Sequence, residues 1–194
     1  FTDNHFFCGV KPPLPIPDAD RKTERDWQEF VRIFSPDLIA LTGDAWHDNP
    51  DGRGMKSLLH VLRRVEPLGV PWAFCWGNHD QMDDYQAGHD ALESARHSLY
   101  RGGASHGDYR IEVRTGSAKS STAVAHLWFL NSNRHGLTAW QLDWLRAARA
   151  ALAKTGAPSV PSLAFYHIPL LEQKTLYEAV RTPGVFQDEV CQPR

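Results

Sequence analysis

Val70-Pro71-Trp72-Ala73-Phe74-Cys75-Trp76-Gly77-Asn78-His79-Asp80 joins a short apolar run to an amide, an imidazole and a carboxylate in successive positions. A continuous apolar run bounded by turn residues fits a buried strand. Open α/β sheets place their ligands at the carboxyl ends of strands, which makes Asn78, His79 and Asp80 candidates for a site. A polar turn closing a core strand is the alternative. Immediately upstream, Leu58, Leu59, Val61, Leu62 and Val65 form one apolar face of a helix from Met55 to Glu66, closed by Pro67-Leu68-Gly69. Before that helix lies a second apolar run, Leu38-Ile39-Ala40-Leu41, ending in Thr42-Gly43-Asp44. Strand, helix, strand is the order of a βαβ unit and implies two parallel neighbours.

Farther out, Asp3 and His5 are spaced i, i+2, which in an extended segment points both to the same side. Residues 11–17 are too rich in proline for regular structure. Trp27, Phe30, Val31 and Phe34 recur at helical spacing and predict an amphipathic helix from Asp18 to about Phe34. Downstream, residues 82–99 read as a more polar helix. Tyr109 to Val113 and Ala123 to Leu130 read as a hairpin in a mixed sheet. Thr138 is placed to cap a helix carrying Trp140, Leu142, Leu145 and Ala148 on its core face. A last buried strand, Ser162 to Tyr166, ends in His167 and is stopped by Pro169. With no internal repeat and no linker, residues 1–194 read as a single domain.

The composition excludes several functions. Lys+Arg (21) and Asp+Glu (23) nearly cancel to a net charge of -2 without long runs of either sign, so no nucleic-acid partner is expected. No apolar run approaches the roughly 20 residues of a membrane span. Cys8, Cys75 and Cys191 are odd in number and lack CxxC spacing, which argues against a disulfide framework or zinc knuckle and for a reducing, cytoplasmic setting.

Strand ends thus carry Asp3 with His5, Asp44, Asn78 with His79, and His167. Placed at one edge of a sheet, these groups converge on a point. Mixed carboxylate and imidazole donors suit zinc, manganese or iron, whereas calcium or magnesium sites use oxygen almost exclusively. Two carboxylates among otherwise neutral ligands leave a pair of divalent cations with residual positive charge, suited to a phosphate oxyanion and to acidifying a water. A two-metal hydrolytic site is the reading. Nucleophilic catalysis by serine or cysteine has less support, since GxSxG is absent and no cysteine lies beside a strand-end histidine.

Asp3-Asn4-His5, Gly43-Asp44, Gly77-Asn78-His79-Asp80 and His167 resemble, in order and spacing, the D-x-H, GD, GNH[DE] and His motifs of the calcineurin-like metallophosphoesterases. The text around Phe165-Tyr166-His167-Ile168-Pro169 is most similar to the purple acid phosphatase-like branch. The resemblance covers essentially the whole chain. It implies an α/β fold of two face-to-face mixed β-sheets flanked by helices, four layers in the order α/β/β/α, incomplete here at both ends. By motif, Asp3 and His5 are implied to hold a first metal, Asp44 to bridge two, and Asn78 with His167 to hold the second. His79 is implied as general acid or phosphoryl stabiliser, with Asp80 fixing its tautomer. The activity implied is hydrolysis of a small phosphoester or phosphoprotein by a water or hydroxide bridging two divalent ions (Mn, Fe or Zn). A non-catalytic metal-binding or regulatory protein, or a metallonuclease of the same superfold, is the alternative.

Two departures from the family pattern stand out. Purple acid phosphatases have a tyrosine three residues beyond the GD aspartate and lack the first-motif histidine, whereas this chain has His47 and His5, which argues against a ferric-tyrosinate centre. The family's final G-H-x-H is absent. Since residues 185–191 resemble what precedes it, the chain is expected to be C-terminally truncated, with weakened metal affinity. Asp48 and His47 are read as loop residues, and His60, His89, His97, His106, His126 and His135 as surface or satisfied histidines.

Overall fold

The computed structural model describes residues 1–7, 18–48, 52–116, 121–132, 136–156 and 159–180. The proline-rich run 11–17, Cys8, Cys191, His135 and the segment 185–191 lie outside them.

Helix α1 (Ala19–Phe34) forms where the periodicity predicts it. Its buried anchor is Trp27, whose indole stacks on Phe1 at 4.9 Å, meets Phe6 edge-on at 5.2 Å and donates Nε1–H to Asn4 Oδ1 at 3.0 Å. One residue therefore ties the helix to the N-terminal segment. Phe30 and Phe34, expected on the buried face, are 43% and 63% exposed.

Strand β1 (Ile39–Leu41), helix α2 (Gly54–Val65) and strand β2 (Trp72–Phe74) form the expected βαβ unit, with β1 and β2 parallel and Ile39 opposite Trp72. Leu58, Val61 and Val65, spaced three and four apart, are the buried stripe of α2. Helix α3 (Tyr85–Ser94) is shorter than 82–99. Asp84 caps it by accepting from Ala87 N–H at 3.0 Å, and the backbone is extended again at Ala95.

The second sheet is mixed. Strand β3 (Tyr109–Thr115) pairs antiparallel with β4 (Thr122–Phe129), as the hairpin reading requires, and β4 pairs parallel with β5 (Ser162–Phe165). Tyr109 joins the two sheets: its hydroxyl accepts from Phe74 N–H at 2.8 Å and donates to Phe74 C=O at 3.0 Å. Tyr109, Phe129 and Phe165 stack in succession at 5.0 and 4.8 Å. Aromatic rings of β2, β3 and β4 thus share one core.

Two expectations are corrected here. β5 is not a buried strand: Ser162, Leu163 and Ala164 are exposed, Leu163 by 60%, because among the described residues β5 pairs only with β4 and forms the sheet edge. In helix α4 (Ala139–Lys154) the core residue is polar. Trp140 and Leu142 are exposed, while buried Gln141 donates Nε2–H to Asp108 Oδ1 at 3.0 Å and to Asn131 C=O at 2.6 Å. Its Oε1 accepts from Thr138 N–H at 2.9 Å, and Thr138 Oγ1 accepts from Gln141 N–H, closing a capping box. Thr138→Ala is expected to cost about 1 kcal/mol, measured as a shift in the urea midpoint. A short helix α5 (Leu171–Val180) follows β5. No helix of the described residues is long and apolar enough to cross a membrane.

Candidate metal centre

Asp44 follows β1 after a tight turn in which Gly43 and Asp44 have φ of +102° and +50°. Glycine is required at position 43, because a Cβ there would sit 2.5 Å from His167 Nδ1. Gly77 is required for a second close approach, since its Cβ would lie 2.2 Å from the Asp44 nitrogen. The two glycines let the ends of β1, β2 and β5 close around one carboxylate.

Asp3 and His5 reach the same place by a different route from the one their spacing suggests. Their φ angles are +50° and +45°, so the segment is not extended and strand alternation does not orient them. It runs instead beside the loop after β1, with Asp3 N–H on Gly43 C=O at 3.1 Å and His5 N–H on Asp44 C=O at 2.9 Å. The left-handed backbone at both positions brings the two side chains beside Asp44, with His5 partly buried and Asp3 at the exposed rim.

Buried Asp44 is the hub. Its Oδ2 lies 3.3 Å from His167 Nε2, 3.6 Å from His5 Nε2 and 3.9 Å from His79 Nε2, while Oδ1 accepts from His79 N–H at 2.8 Å. Burial raises its pKa, but the hydrogen bonds and charges of His167 and His79 outweigh that and hold it below the ordinary carboxylate range. Burial depresses the His5 imidazole. At His167 burial acts in the same direction, but the hydrogen bond and charge of Asp44 and the Thr42 carbonyl dominate, and its pKa is raised.

The donor set fits a cation. Ligand atoms of Asp3, His5 and Asp44 lie within 4.8 Å of one another. His167 Nδ1 lies 3.0 Å from Thr42 C=O, which takes its proton and turns Nε2 toward Asn78 Oδ1 at 3.1 Å and Asp44 Oδ2. With no cation the protonated ring donates Nε2–H to these oxygens; in the neutral Nδ1–H tautomer Nε2 presents a lone pair beside them, a mixed donor set of the kind a divalent cation takes. Of the seven residues singled out from sequence, the structure brings Asp3, His5, Asp44, Asn78, His79 and His167 together.

Asp80 is the exception. It is 1% exposed and does not orient His79: Oδ1 accepts from Ala45 N–H at 2.8 Å and Trp46 N–H at 3.2 Å, and Oδ2 from Gly77 N–H at 2.7 Å. Burial pushes its carboxyl up to about 7 against those three donors. The residue bonded to His79 is Asp48, whose Oδ1 lies 2.7 Å from His79 Nδ1 and also accepts from Gln81 Nε2–H at 3.2 Å. In the sequence Asp48 shows only as the second aspartate of Gly43-Asp44-x-x-x-Asp48, which reads as a loop position. His47, also read as a loop residue, stacks on His79 at 5.6 Å and meets His5 edge-on at 5.7 Å.

Beyond Asn78 the floor continues into a cleft of about 600 Å³ on the side of α3. Residues 1–170 match the family model of the calcineurin-like phosphoesterases, and the chain belongs to that family. It is similar to the probable inactive purple acid phosphatase 28 of Arabidopsis thaliana, at 28% identity over 89% of this chain and 51% of that protein. It is also similar to the phosphatase DCR2 of Saccharomyces cerevisiae, at 25% identity over 91% of this chain and 35% of that one. The probable inactive purple acid phosphatase 29 of Arabidopsis thaliana is 25% identical over 96% of this chain and 57% of its own length. The chain therefore spans about half the length of these relatives, or less.

Proposed function

We propose that this chain forms a single calcineurin-like domain of a phosphoesterase using two divalent cations, and that it acts on small phosphoesters or phosphoproteins. The observation that carries this reading is the Asp44 carboxylate, set among the Nε2 atoms of His5, His79 and His167 with Asn78 Oδ1 beside the last. Asp3, His5 and Asp44 would hold one cation, and Asp44, Asn78 and His167 the other. When bound, such cations polarise phosphoryl oxygens and acidify water.

The chain's own groups do the rest. Asn78 supplies an uncharged oxygen, so Asp44 and Asp3 are the anions of the set. Asp48 accepts the Nδ1–H of His79 and turns Nε2 toward the centre, where the ring in its imidazolium form would donate Nε2–H to the leaving oxygen or to a phosphoryl oxygen. Asp80 takes no part in proton transfer; it fixes the loops that carry Asp44 and Asn78.

The test is a phosphoester panel with the intact protein carrying this chain, loaded with Mn²⁺ or Zn²⁺. Metal-dependent hydrolysis lost on chelation is expected, and silence across the panel with two metals bound sinks the reading. That silent outcome is the second reading, a non-catalytic metal-binding protein, favoured by the word inactive in the names of two relatives. Asp48→Asn is expected to lower kcat about tenfold with metal content retained. The loss should be larger for glycerol phosphate than for p-nitrophenyl phosphate, whose leaving group needs no proton. Equal losses on both substrates would remove Asp48 from the proton path.

A further inference from the structure

Asp3 and His5 carry their ligand atoms on left-handed backbone, with φ of +50° and +45°. Such conformations persist only where the surroundings hold them. On one side the loop after β1 does so: Asp3 and His5 donate their N–H groups to it, Phe6 N–H donates to Ala45 C=O at 3.0 Å, and Phe6 C=O accepts from His47 N–H at 3.2 Å. At Phe7 the direction changes. Its N–H donates at 2.9 Å to Oδ1 of Asp20, in the first turn of α1.

Asp20 is fixed in turn from α2. His60 donates Nε2–H to its Oδ2 at 2.9 Å, the two side chains being 24% and 20% exposed, His60 first. One carboxylate therefore joins α1, α2 and the segment that carries His5. Phe6, 1% exposed, fills the space between them: its ring meets Trp27 edge-on at 5.2 Å and His60 at 6.0 Å, and the Arg64 guanidinium lies 5.5 Å from its centroid. Asn78 and His167 are carried by the ends of β2 and β5 instead.

We propose that Asp20 and His60 are positioning residues for one of the two cations. Bridging α1 and α2, they hold residues 5–7 so that Asp3 and His5 stand beside Asp44, and they set the affinity of the cation those three would bind. The inference rests on the two-cation reading above and adds residues outside the ligand set. Both act through the Phe7 N–H, so their effect is confined to the cation at Asp3 and His5.

The test reads metal binding rather than turnover. The intact protein carrying this chain is stripped with chelator and titrated calorimetrically with Mn²⁺, unmodified and as Asp20→Ala, Asp20→Asn, His60→Ala and Glu24→Ala. In Asp20→Ala the Phe7 N–H loses its acceptor, and affinity for one ion is expected to fall about tenfold while the other is unchanged. The weakened ion is the one that Asp3→Ala removes. Asp20→Asn keeps an Oδ1 for Phe7 N–H and should recover most of the loss. His60→Ala keeps the acceptor but frees it to turn; a loss of about threefold is expected, and it carries the same comparison if Asp20→Ala does not fold. Glu24→Ala is the control for loosened helix packing, since the Glu24–Arg64 pair at 3.5 Å joins the same two helices without bonding the backbone of residues 5–7. Unchanged affinities in Asp20→Ala and His60→Ala, equal weakening of both ions, or the same weakening in Glu24→Ala overturns the proposal. An unmodified protein that binds two ions but hydrolyses no phosphoester refutes the phosphoesterase reading alone, whereas one that binds neither ion refutes both.

Discussion

Asp44→Asn is expected to lower kcat/KM for p-nitrophenyl phosphate by roughly a thousandfold or more in the metal-loaded protein, and to reduce bound metal. The substitution keeps the size of the side chain and the Oδ1 that accepts from His79 N–H. It removes the negative charge that faces three imidazole nitrogens within 3.9 Å. A structural role would be spared by so conservative a change. The check is steady-state kinetics beside metal analysis after desalting, and a loss below tenfold with full metal content would displace Asp44 from the centre.

Asp80→Ala should act on folding instead. Three buried N–H groups, of Gly77, Ala45 and Trp46, lose their acceptor together, at about 1–3 kcal/mol each before relaxation, so a loss of about 4 kcal/mol is expected in chelator-treated protein unfolded by urea. The effect carries a pH signature. With its folded pKa raised to about 7 from 3.8, Asp80 holds a proton in the folded state that the unfolded chain releases, so its contribution is complete below the unfolded value and declines as pH rises through 7. The gap between the two proteins should therefore be wider at pH 5 than at pH 8. A gap below 1 kcal/mol at both pH values would show that the loops do not depend on this carboxylate.

These two aspartates mark where sequence reading reached and where it stopped. Asp44 was legible because an apolar run, a glycine and a carboxylate in that order already describe a strand end. Strands β1 and β2 and helix α2 followed from the same logic, since burial and periodicity are local signals. Asp80 was legible as a member of the loop but not in its role. The family motif implies a pairing with His79, whereas the side chain turns inward to backbone donors 34 and 35 residues away. The true neighbour, Asp48, arrives from another loop, and no spacing rule specifies which of two aspartates crosses that gap. β5 was misread because its apolar letters do not say whether a strand has one neighbour or two. Gln141 shows in the sequence as the last residue of a Thr-x-x-Gln cap, but its burial shows only through the carboxylate it meets.

The left-handed backbone at Asp3, His5 and Asp44 has a further consequence for how the protein would drift under mutation. At each of these positions the conformation favours glycine, and holding another residue there costs roughly 1 kcal/mol or more. Replacement by glycine would relax the chain and tighten the empty scaffold while erasing a ligand. Stability selection alone would therefore push toward an inert relative, and a cation held by these three side chains would resist it, since its binding energy would count toward folding only while all three remained.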